Sequence, residues 1–534
     1  MRLPDPPSFL VELVAEPKAR DALLAGSVAL FAAGMDPKVW SAGLPSVQAA
    51  IRARPEIEAL ALVMAVLGAG VLFLGGAIGD SSRARPIVIG GLVVLLGAAL
   101  FGLIVPDGPL FITSRVIGSA ASAFIIPVSL ASVAISYTGA ARATAIGIAY
   151  GALGAASALT PILLQLLPTT RAPAFIGAVV ACALAILIVR RRLPVLQRPT
   201  TAERPYVIAT ALWGFGVVSV TCGVVWFGGG LDNPVRWLLV LVGALAFAAA
   251  GIYDRRQHHP KGGIHVERRP VVIAVFVGII LAISQTIPML QLPLYFGVVL
   301  RYGPFLSVVA LAPLFAALIL AGPVAGFLLA RYRPRTLVGA GVVAVGFGDL
   351  ALALVLAPDA GYPGFVVPCI LVGAGFVIAT TVRTAIIFAS VPRGLPATAA
   401  ALNEASISVG SRIGTVLVTV LVAEAAVAAY AGSLGLSPGP DAGAAIGAFR
   451  DLLTAVGTAS FAGLASGIVS TDVGLYLDAY TVGVRLALVA GAVIALVGGL
   501  IAWLSLGRQD PLTTVYAHRD ERSRVGSVLT PGES

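Results

Sequence analysis

Long apolar runs recur along this whole sequence, separated by short tracts that contain Arg, Pro, Gly or Asp. Most runs reach the length of about 20 residues that a helix needs to cross the hydrocarbon core of a bilayer. Of the 534 residues, 58% are hydrophobic and only 11% are charged, so too few polar side chains exist to cover a water-soluble core. The sequence therefore predicts a polytopic helical membrane protein, and it excludes a soluble enzyme, a secreted disulfide scaffold and a disordered regulator.

The runs predict fourteen transmembrane helices, arranged as two six-helix bundles with two extra helices between them. The predicted spans are 22–47, 58–79, 86–105, 109–137, 143–167, 172–190, 206–228, 235–253, 270–298, 304–330, 336–357, 363–391, 396–429 and 481–505. The predicted domains are an N-terminal tail (1–21), an N-terminal bundle (22–190), a linker with the two extra helices (191–269), a C-terminal bundle (270–505) and a C-terminal tail (506–534). Residues 431–480, interrupted by the Arg450–Asp451 pair, are interpreted as an insert with an amphipathic helix on the outer face.

The basic residues predict the orientation of the chain. With the N-terminus inside, 24 of the 35 Lys and Arg residues fall in tracts on the cytoplasmic side and 6 fall outside. This distribution follows the positive-inside rule and predicts that both termini are cytoplasmic. It also accounts for the net charge of +10 without nucleic acid as a partner. We expect a monomeric, multi-pass protein of the plasma (inner) membrane.

An internal repeat supports the division into two halves. The segment GGAIGDSSRARP follows the second span and AGFLLARYRPR follows the tenth, so that Gly76 matches Gly326 and Arg85 matches Arg335, both 250 residues apart. Many transporters are built from such repeats and bind their substrate where the halves meet.

Four local patterns carry a family resemblance. They are Met35 to Pro45 in the first span, Gly76 to Arg85 after the second, Arg115 to Ala131 in the fourth, and Pro161 with its neighbours in the fifth. Over nearly the whole chain, apart from the tails and 431–480, the sequence resembles the fourteen-helix drug:proton antiporter branch of the major facilitator superfamily. The resemblance implies a conformational latch that contains Gly76, Asp80 and Arg85.

Ionisable side chains inside the predicted spans are candidates for proton coupling, because each costs roughly 2.5–3.5 kcal/mol unless a partner or a wet cavity receives it. Asp36 is the leading candidate, and a static ion pair with Lys38 or Arg115 is the alternative. By resemblance, Arg115 takes part in proton transfer with an acidic partner. Glu404 is a second protonation site or, as we prefer, part of an intracellular gate or of a structural pair.

The ninth span is unusually polar for a membrane helix. Gln285, Gln291 and Tyr295, together with Lys38 of the first span, are candidates to line a substrate cavity, because neutral hydrogen-bonding groups beside aromatic rings suit amphipathic molecules. Hydrogen bonding between helices is an equally good interpretation of the ninth span. A further expectation is that Asp349 and Arg383 pair across the eleventh and twelfth spans.

With these patterns, the resemblance implies a secondary active transporter that exports hydrophobic or amphipathic small molecules, such as drugs, in exchange for protons. The alternatives are an exporter of lipid-like or siderophore-like molecules, an uptake system, or a non-transporting membrane sensor or scaffold. A phosphate-binding GxxxxGK[ST] loop is lacking, as is any nucleophile–base or metal constellation, so we expect no cofactor, no metal site and no enzymatic activity.

Overall fold

The fold is all-helical over the part of the chain that the structure, a computed structural model, describes. The described residues are 13, 16–41, 71–80, 84–105, 109–166, 172–193, 207–225, 234–257, 268–329, 331–391, 395–434 and 473–506. We number the helices in chain order as α1 (Pro17–Ser41), α2 (Val71–Asp80), α3 (Ala84–Ile104), α4 (Pro109–Ser136), α5 (Gly139–Leu166), α6 (Ala172–Arg192), α7 (Val207–Val225), α8 (Pro234–Gln257), α9 (Arg268–Val298), α10 (Pro304–Leu329), α11 (Pro334–Val355), α12 (Pro363–Ser390), α13 (Pro396–Leu434) and α14 (Val473–Ser505).

Proline fixes where many of these helices begin. It is the first residue of α1, α4, α8 and α10 to α13, where its missing N–H is not needed and its fixed φ already suits a helix. The last turn of α6 contains Arg190, Arg191 and Arg192, and positive charge is favourable at the carboxyl end of a helix. These boundaries explain why the apolar runs locate the helices closely.

Ten helices in the described part of the chain, α3 to α6 and α9 to α14, contain segments long and apolar enough to cross a membrane. Two shorter apolar segments, Val71–Asp80 and Trp237–Tyr253, lie in α2 and α8. The protein is therefore a multi-pass membrane protein. The full number of fourteen spans and the side of the termini stay predictions.

The segment between α13 and α14 is shorter than the sequence predicted. The prediction ended the thirteenth span at 429 and began the fourteenth at 481, whereas α13 continues to Leu434 and α14 begins at Val473. The extensions pack on each other, because Tyr430 and Tyr476 stack with ring centroids 4.9 Å apart and their hydroxyls are 3.3 Å apart. The Gly and Ser residues near this point suggested a helix end, but the tertiary contact overrides them. The predicted amphipathic helix falls in 435–472, outside the described residues.

Two helical bundles form the body of the molecule. In the first, α1 packs on α4, α5 and α6, and α3 packs on α4 and α6, around buried side chains such as Met35, Leu92 and Phe175. In the second, α9 to α14 pack around side chains such as Leu292 and Phe365. Helices α7 and α8 pair with each other through Trp213 and Phe247, and α7 also touches α13.

The bundles meet where the second helix of each half crosses the fifth helix of the other. Helix α10 lies on α5, and Gly147 and Gly322 face each other there so closely that a Cβ on either would overlap the backbone of the other. Helix α2 lies on α13 in the same way, with Gly76 against Ala397 and Ala401. The repeat partner of Gly76, Gly326, contacts Thr144 of α5. The two halves thus meet through equivalent positions, as their sequence repeat predicts.

Candidate functional site

Asp80 joins the two halves at one end of the molecule, which we call the Asp80 face. Its carboxylate oxygens accept hydrogen bonds from the backbone N–H groups of Ala397 at 2.7 Å and Thr398 at 2.9 Å. Both residues are in the first turn of α13, where backbone N–H groups have no partner within the helix. The side chain of Asp80 is only 8% exposed. Asp80 therefore caps a helix of the opposite half, and the partial positive charge of that helix end favours a carboxylate.

Glycines in α2 permit this contact. A Cβ on Gly76 would lie 2.8 Å from the Cβ of Ala401, and a Cβ on Gly79 would lie 2.8 Å from the Cβ of Ala397. Both distances are too short for carbon atoms that do not share a bond, so a larger residue would separate α2 from α13. Arg85, the third residue of the predicted latch, lies in the first turn of α3 and is partly exposed.

A buried polar cluster joins the halves behind the Asp80 contact. The Tyr150 hydroxyl of α5 donates a hydrogen bond to Glu404 Oε1 of α13 at 2.6 Å. The side-chain amide of Asn403 donates to the same carboxylate oxygen at 3.1 Å and also to the Tyr150 hydroxyl. Thr384 of α12 donates to Asn403 Oδ1 at 3.0 Å. We call Tyr150, Thr384, Asn403 and Glu404 the gate cluster, since it places a carboxyl group on the seam between the two halves.

The gate cluster contains residues that the sequence did not single out. Tyr150 and Thr384 were not predicted as functional, because a tyrosine or a threonine in an apolar helix is common. The carboxylate that Tyr150 contacts is more than 200 residues away in the sequence. Asn403 also had no predicted role. Glu404, by contrast, was singled out as a protonation site or a gate residue, and it contacts the other half through Tyr150 at 2.6 Å. Its role stays a prediction.

Arg383 supports the gate cluster from within the C-terminal half. Its side chain is fully buried, and its guanidinium donates to the carbonyl of Ala274 at 3.2 Å and to Ser406 Oγ at 3.0 Å. It also reaches the carbonyl of Asn403 at 3.5 Å. Gly278 lies directly beneath the guanidinium, and a Cβ there would overlap it. Arg383 therefore ties α9, α12 and α13 together beside Glu404.

The expected pair of Asp349 and Arg383 does not form, so that prediction is wrong. Asp349 instead lies 2.9 Å from Ser284 Oγ. Helices α11 and α12 run in opposite directions, and Asp349 is near the end of α11 while Arg383 is near the end of α12. The two residues consequently lie toward opposite faces of the membrane region, which sequence spacing alone does not show.

Arg115 lies inside the N-terminal half. Its side chain is 3% exposed, and its guanidinium lies over the ring of Phe175, 4.7 Å from the centroid, and 5.8 Å from that of Phe111. It also donates a hydrogen bond to the carbonyl of Ala98. These contacts hold α3, α4 and α6 together. The predicted part of Arg115 in proton transfer stays a prediction.

The remaining predicted residues are placed as follows. Asp36 and Lys38 lie in the second half of α1, and their side chains are outside the described part of the structure. Gln291 of α9 accepts a hydrogen bond from the Tyr480 hydroxyl of α14 at 3.0 Å. Tyr295 is fully buried against Phe365 of α12.

The contacts of Gln291 and Tyr295 lie within the C-terminal half, as the interhelical interpretation expects. Gln285, also in α9, is partly exposed. Of the three α9 candidates, Gln285 is therefore the one whose side chain is most accessible. A substrate role for any of the three stays a prediction.

The two bundles, their repeat-related crossings and the polar seam define a membrane protein of the transporter type. The family model described as Major Facilitator Superfamily matches residues 26–415, and the chain belongs to this family. No curated protein sequence matches the chain.

Solved transporter structures share the fold. The crystal structure of the human organic anion transporter MFSD10 (TETRAN) is 14% identical with a TM-score of 0.53, over 88% of this chain and 100% of that one. The POT family transporter PepTSo is 15% identical with a TM-score of 0.58, over 92% and 98% of the two chains. The structure of a POT peptide transporter is 14% identical in sequence with a TM-score of 0.55, over 92% of this chain and 95% of that one. At these identities the likeness concerns the fold alone. Membership of the family indicates a transporter rather than an enzyme.

Proposed function

We propose that this protein exports hydrophobic or amphipathic small molecules across the plasma membrane in exchange for protons, as the fourteen-helix antiporter branch of its family does. The observation that carries the proposal is the position of Glu404, a mostly buried carboxyl group that the opposite half contacts through Tyr150 at 2.6 Å. A group that can gain or lose a proton at the seam gives a proton gradient a direct influence on whether the halves stay together.

The chemistry of the gate cluster supports coupling between proton binding and the separation of the halves. When Glu404 is ionised, it accepts charge-assisted hydrogen bonds from Tyr150 and Asn403, which are about twice as strong as neutral ones. When Glu404 is protonated, its charge is lost and the contact between α5 and α13 weakens. Proton binding therefore favours separation of the halves at the Asp80 face, and proton release favours closure.

A complete cycle follows if the Asp80 face is cytoplasmic, as the distribution of basic residues predicts. Protons that enter from outside bind Asp36 and Glu404 after the substrate has left, and the cytoplasmic side opens. The protons then leave to the cytoplasm and substrate binds in their place. Ionised Glu404 restores the contact with Tyr150, and the substrate is carried outward. Each cycle moves protons inward and substrate outward.

The proposal is tested in inside-out membrane vesicles with an imposed pH gradient, acidic inside. We expect wild-type protein to accumulate at least one dye from a panel of amphipathic aromatic dyes, and an uncoupler to abolish the accumulation. Glu404→Gln should lose the dependence on the gradient. Glu424→Gln is the matched control, because Glu424 is on the same helix but exposed, and it should behave as wild type. Accumulation that ignores the gradient in wild-type vesicles would refute proton-coupled efflux.

A further inference from the structure

A second carboxyl group is buried in the C-terminal half, far from the gate cluster. Asp349 of α11 is 0% exposed. Its Oδ2 atom lies 2.9 Å from Ser284 Oγ of α9, and its Oδ1 atom has no hydrogen-bond partner among the described residues. Burying an ionised carboxylate in an apolar environment without a cation is very costly. The hydrogen bonds around Ser284 show how this cost is avoided.

The Ser284 hydroxyl has two oxygen neighbours and one hydrogen. Besides Asp349, its Oγ atom lies 2.7 Å from the backbone carbonyl oxygen of Gly491 in α14. That carbonyl oxygen can accept a hydrogen bond but cannot donate one. The hydroxyl hydrogen of Ser284 must therefore point to Gly491, because two oxygen atoms this close repel each other without a hydrogen between them. The contact between Ser284 and Asp349 then needs a second hydrogen. Only a protonated Asp349, which donates to Ser284, provides it.

We propose that Asp349 is a proton-binding site, and that in this conformation it carries a proton in a chain of hydrogen bonds from Asp349 to Ser284 to Gly491. The chain links α11, α9 and α14 within the C-terminal half. Its part in transport rests on the proposed function, whereas the bound proton itself does not. This site is separate from Glu404, which lies on the seam between the halves.

The surroundings of Asp349 keep it away from charge. From α9 it faces Ser284, from α14 it faces Gly491, and among the described residues Cys369 of α12 is the titratable side chain close enough to interact with it, and a thiol is neutral. The nearest cation along α14 is Arg485, which donates to the carbonyl of Leu356. Leu356 is seven residues beyond Asp349, or about 10 Å along a helix at 1.5 Å per residue.

Loss of the proton would change the packing of the three helices. An ionised Asp349 can accept hydrogen bonds but cannot donate one, so the hydroxyl hydrogen of Ser284 would turn from Gly491 to the carboxylate. The 2.7 Å contact between Ser284 and Gly491 would then join two oxygen atoms without a hydrogen, and α9 would separate from α14 at this point. Occupancy of the site is thereby coupled to the contact between α9 and α14.

The bound proton is tested by infrared spectroscopy on the full chain in lipid vesicles at neutral pH, where an exposed aspartate is ionised. We expect the spectrum of wild type minus Asp349→Asn to contain the carbonyl stretch of a protonated carboxyl group, with a shift in D2O. Asp359→Asn is the matched control, because Asp359 is ten residues away and exposed. The spectrum of wild type minus this variant should contain no band of a protonated carboxyl group. A difference spectrum with no protonated carboxyl band would overturn the proposal.

A second variant protects the test against misfolding of Asp349→Asn. Ser284→Ala leaves the acid in place but removes its hydrogen-bond acceptor, so the band should move to higher frequency while remaining present. An unmoved band would overturn the proposed chain of hydrogen bonds. Vesicle transport separates the two proposals. If uptake is driven by the gradient but the band is absent, the exporter proposal stands and the proposed proton site is rejected. If the band is present but uptake is not driven by the gradient, the proton site stands and the exporter proposal is rejected.

Discussion

Removal of the Asp80 carboxylate should shift the protein away from the conformation that is closed at the Asp80 face. In this conformation Asp80 supplies acceptors for the N–H groups of Ala397 and Thr398. Replacing a capping acceptor by alanine typically costs about 0.5–2 kcal/mol. When the face is open, water can bind these N–H groups, so the loss applies to the closed state alone. We expect Asp80→Ala to destabilise closure by about 1–2 kcal/mol, a factor of roughly 5–30 in the ratio of closed to open molecules.

The distance between the halves at this face gives the readout. Spin labels on Arg191→Cys of α6 and Tyr332→Cys after α10 would report this distance by pulsed electron paramagnetic resonance, since both side chains are exposed. The native cysteines, which are buried, are replaced in the background. We expect the long-distance population to grow in Asp80→Ala, and to grow less in Asp80→Asn, because an amide keeps one acceptor oxygen.

Asp21→Ala is the control for the loss of an acid at the same face. Asp21 forms an ion pair of 2.8 Å with the exposed Arg192 within the N-terminal half, and exposed pairs contribute little to stability. This variant should leave the distance distribution unchanged. Equal distributions for wild type and Asp80→Ala would refute the capping role, as would an equal effect of Asp21→Ala.

Three further outcomes are expected. Asp36→Asn should abolish gradient-driven export in vesicles while dye binding to the purified protein stays largely intact, and unchanged export would remove Asp36 from the mechanism. Tyr150→Phe should remove a hydrogen bond to a charged group worth about 1.5–3 kcal/mol, and the pH dependence of dye uptake should move toward that of Glu404→Gln. Gly147→Ala or Gly322→Ala should force α5 and α10 apart, and a thermal-shift assay should then show a lower melting temperature.

Much of the fold could be predicted from the sequence because membrane helices satisfy their backbone hydrogen bonds internally. Length and hydropathy then locate each helix without knowledge of its neighbours. The ends of α13 and α14 could not be predicted in this way, since the stacking of Tyr430 on Tyr476 extends them. An aromatic contact between segments 46 residues apart leaves no local pattern in the sequence.

The candidate site was predictable where one residue carries its own signal. Asp80 and Gly76 belong to a local motif, and Glu404 is an acid inside an apolar run. Tyr150 becomes informative only when its contact with Glu404 of α13 is known. The expected pair of Asp349 and Arg383 failed for the same reason, since charge complementarity does not specify the depth at which each residue lies in the membrane.

The repeat explains why the two crossings between the halves look alike, and their chemistry explains why they should act differently. Where α10 crosses α5, Gly147 meets Gly322 and Gly326 meets Thr144, and none of these four residues is ionisable. Where α2 and α5 meet α13, the contact includes Asp80 and Glu404. The residue 250 positions after Asp80 is an alanine, so the repeat does not duplicate the acid. A change in protonation can therefore act on one crossing and leave the other in place, and we expect the α5–α10 crossing to persist while the α2–α13 crossing opens.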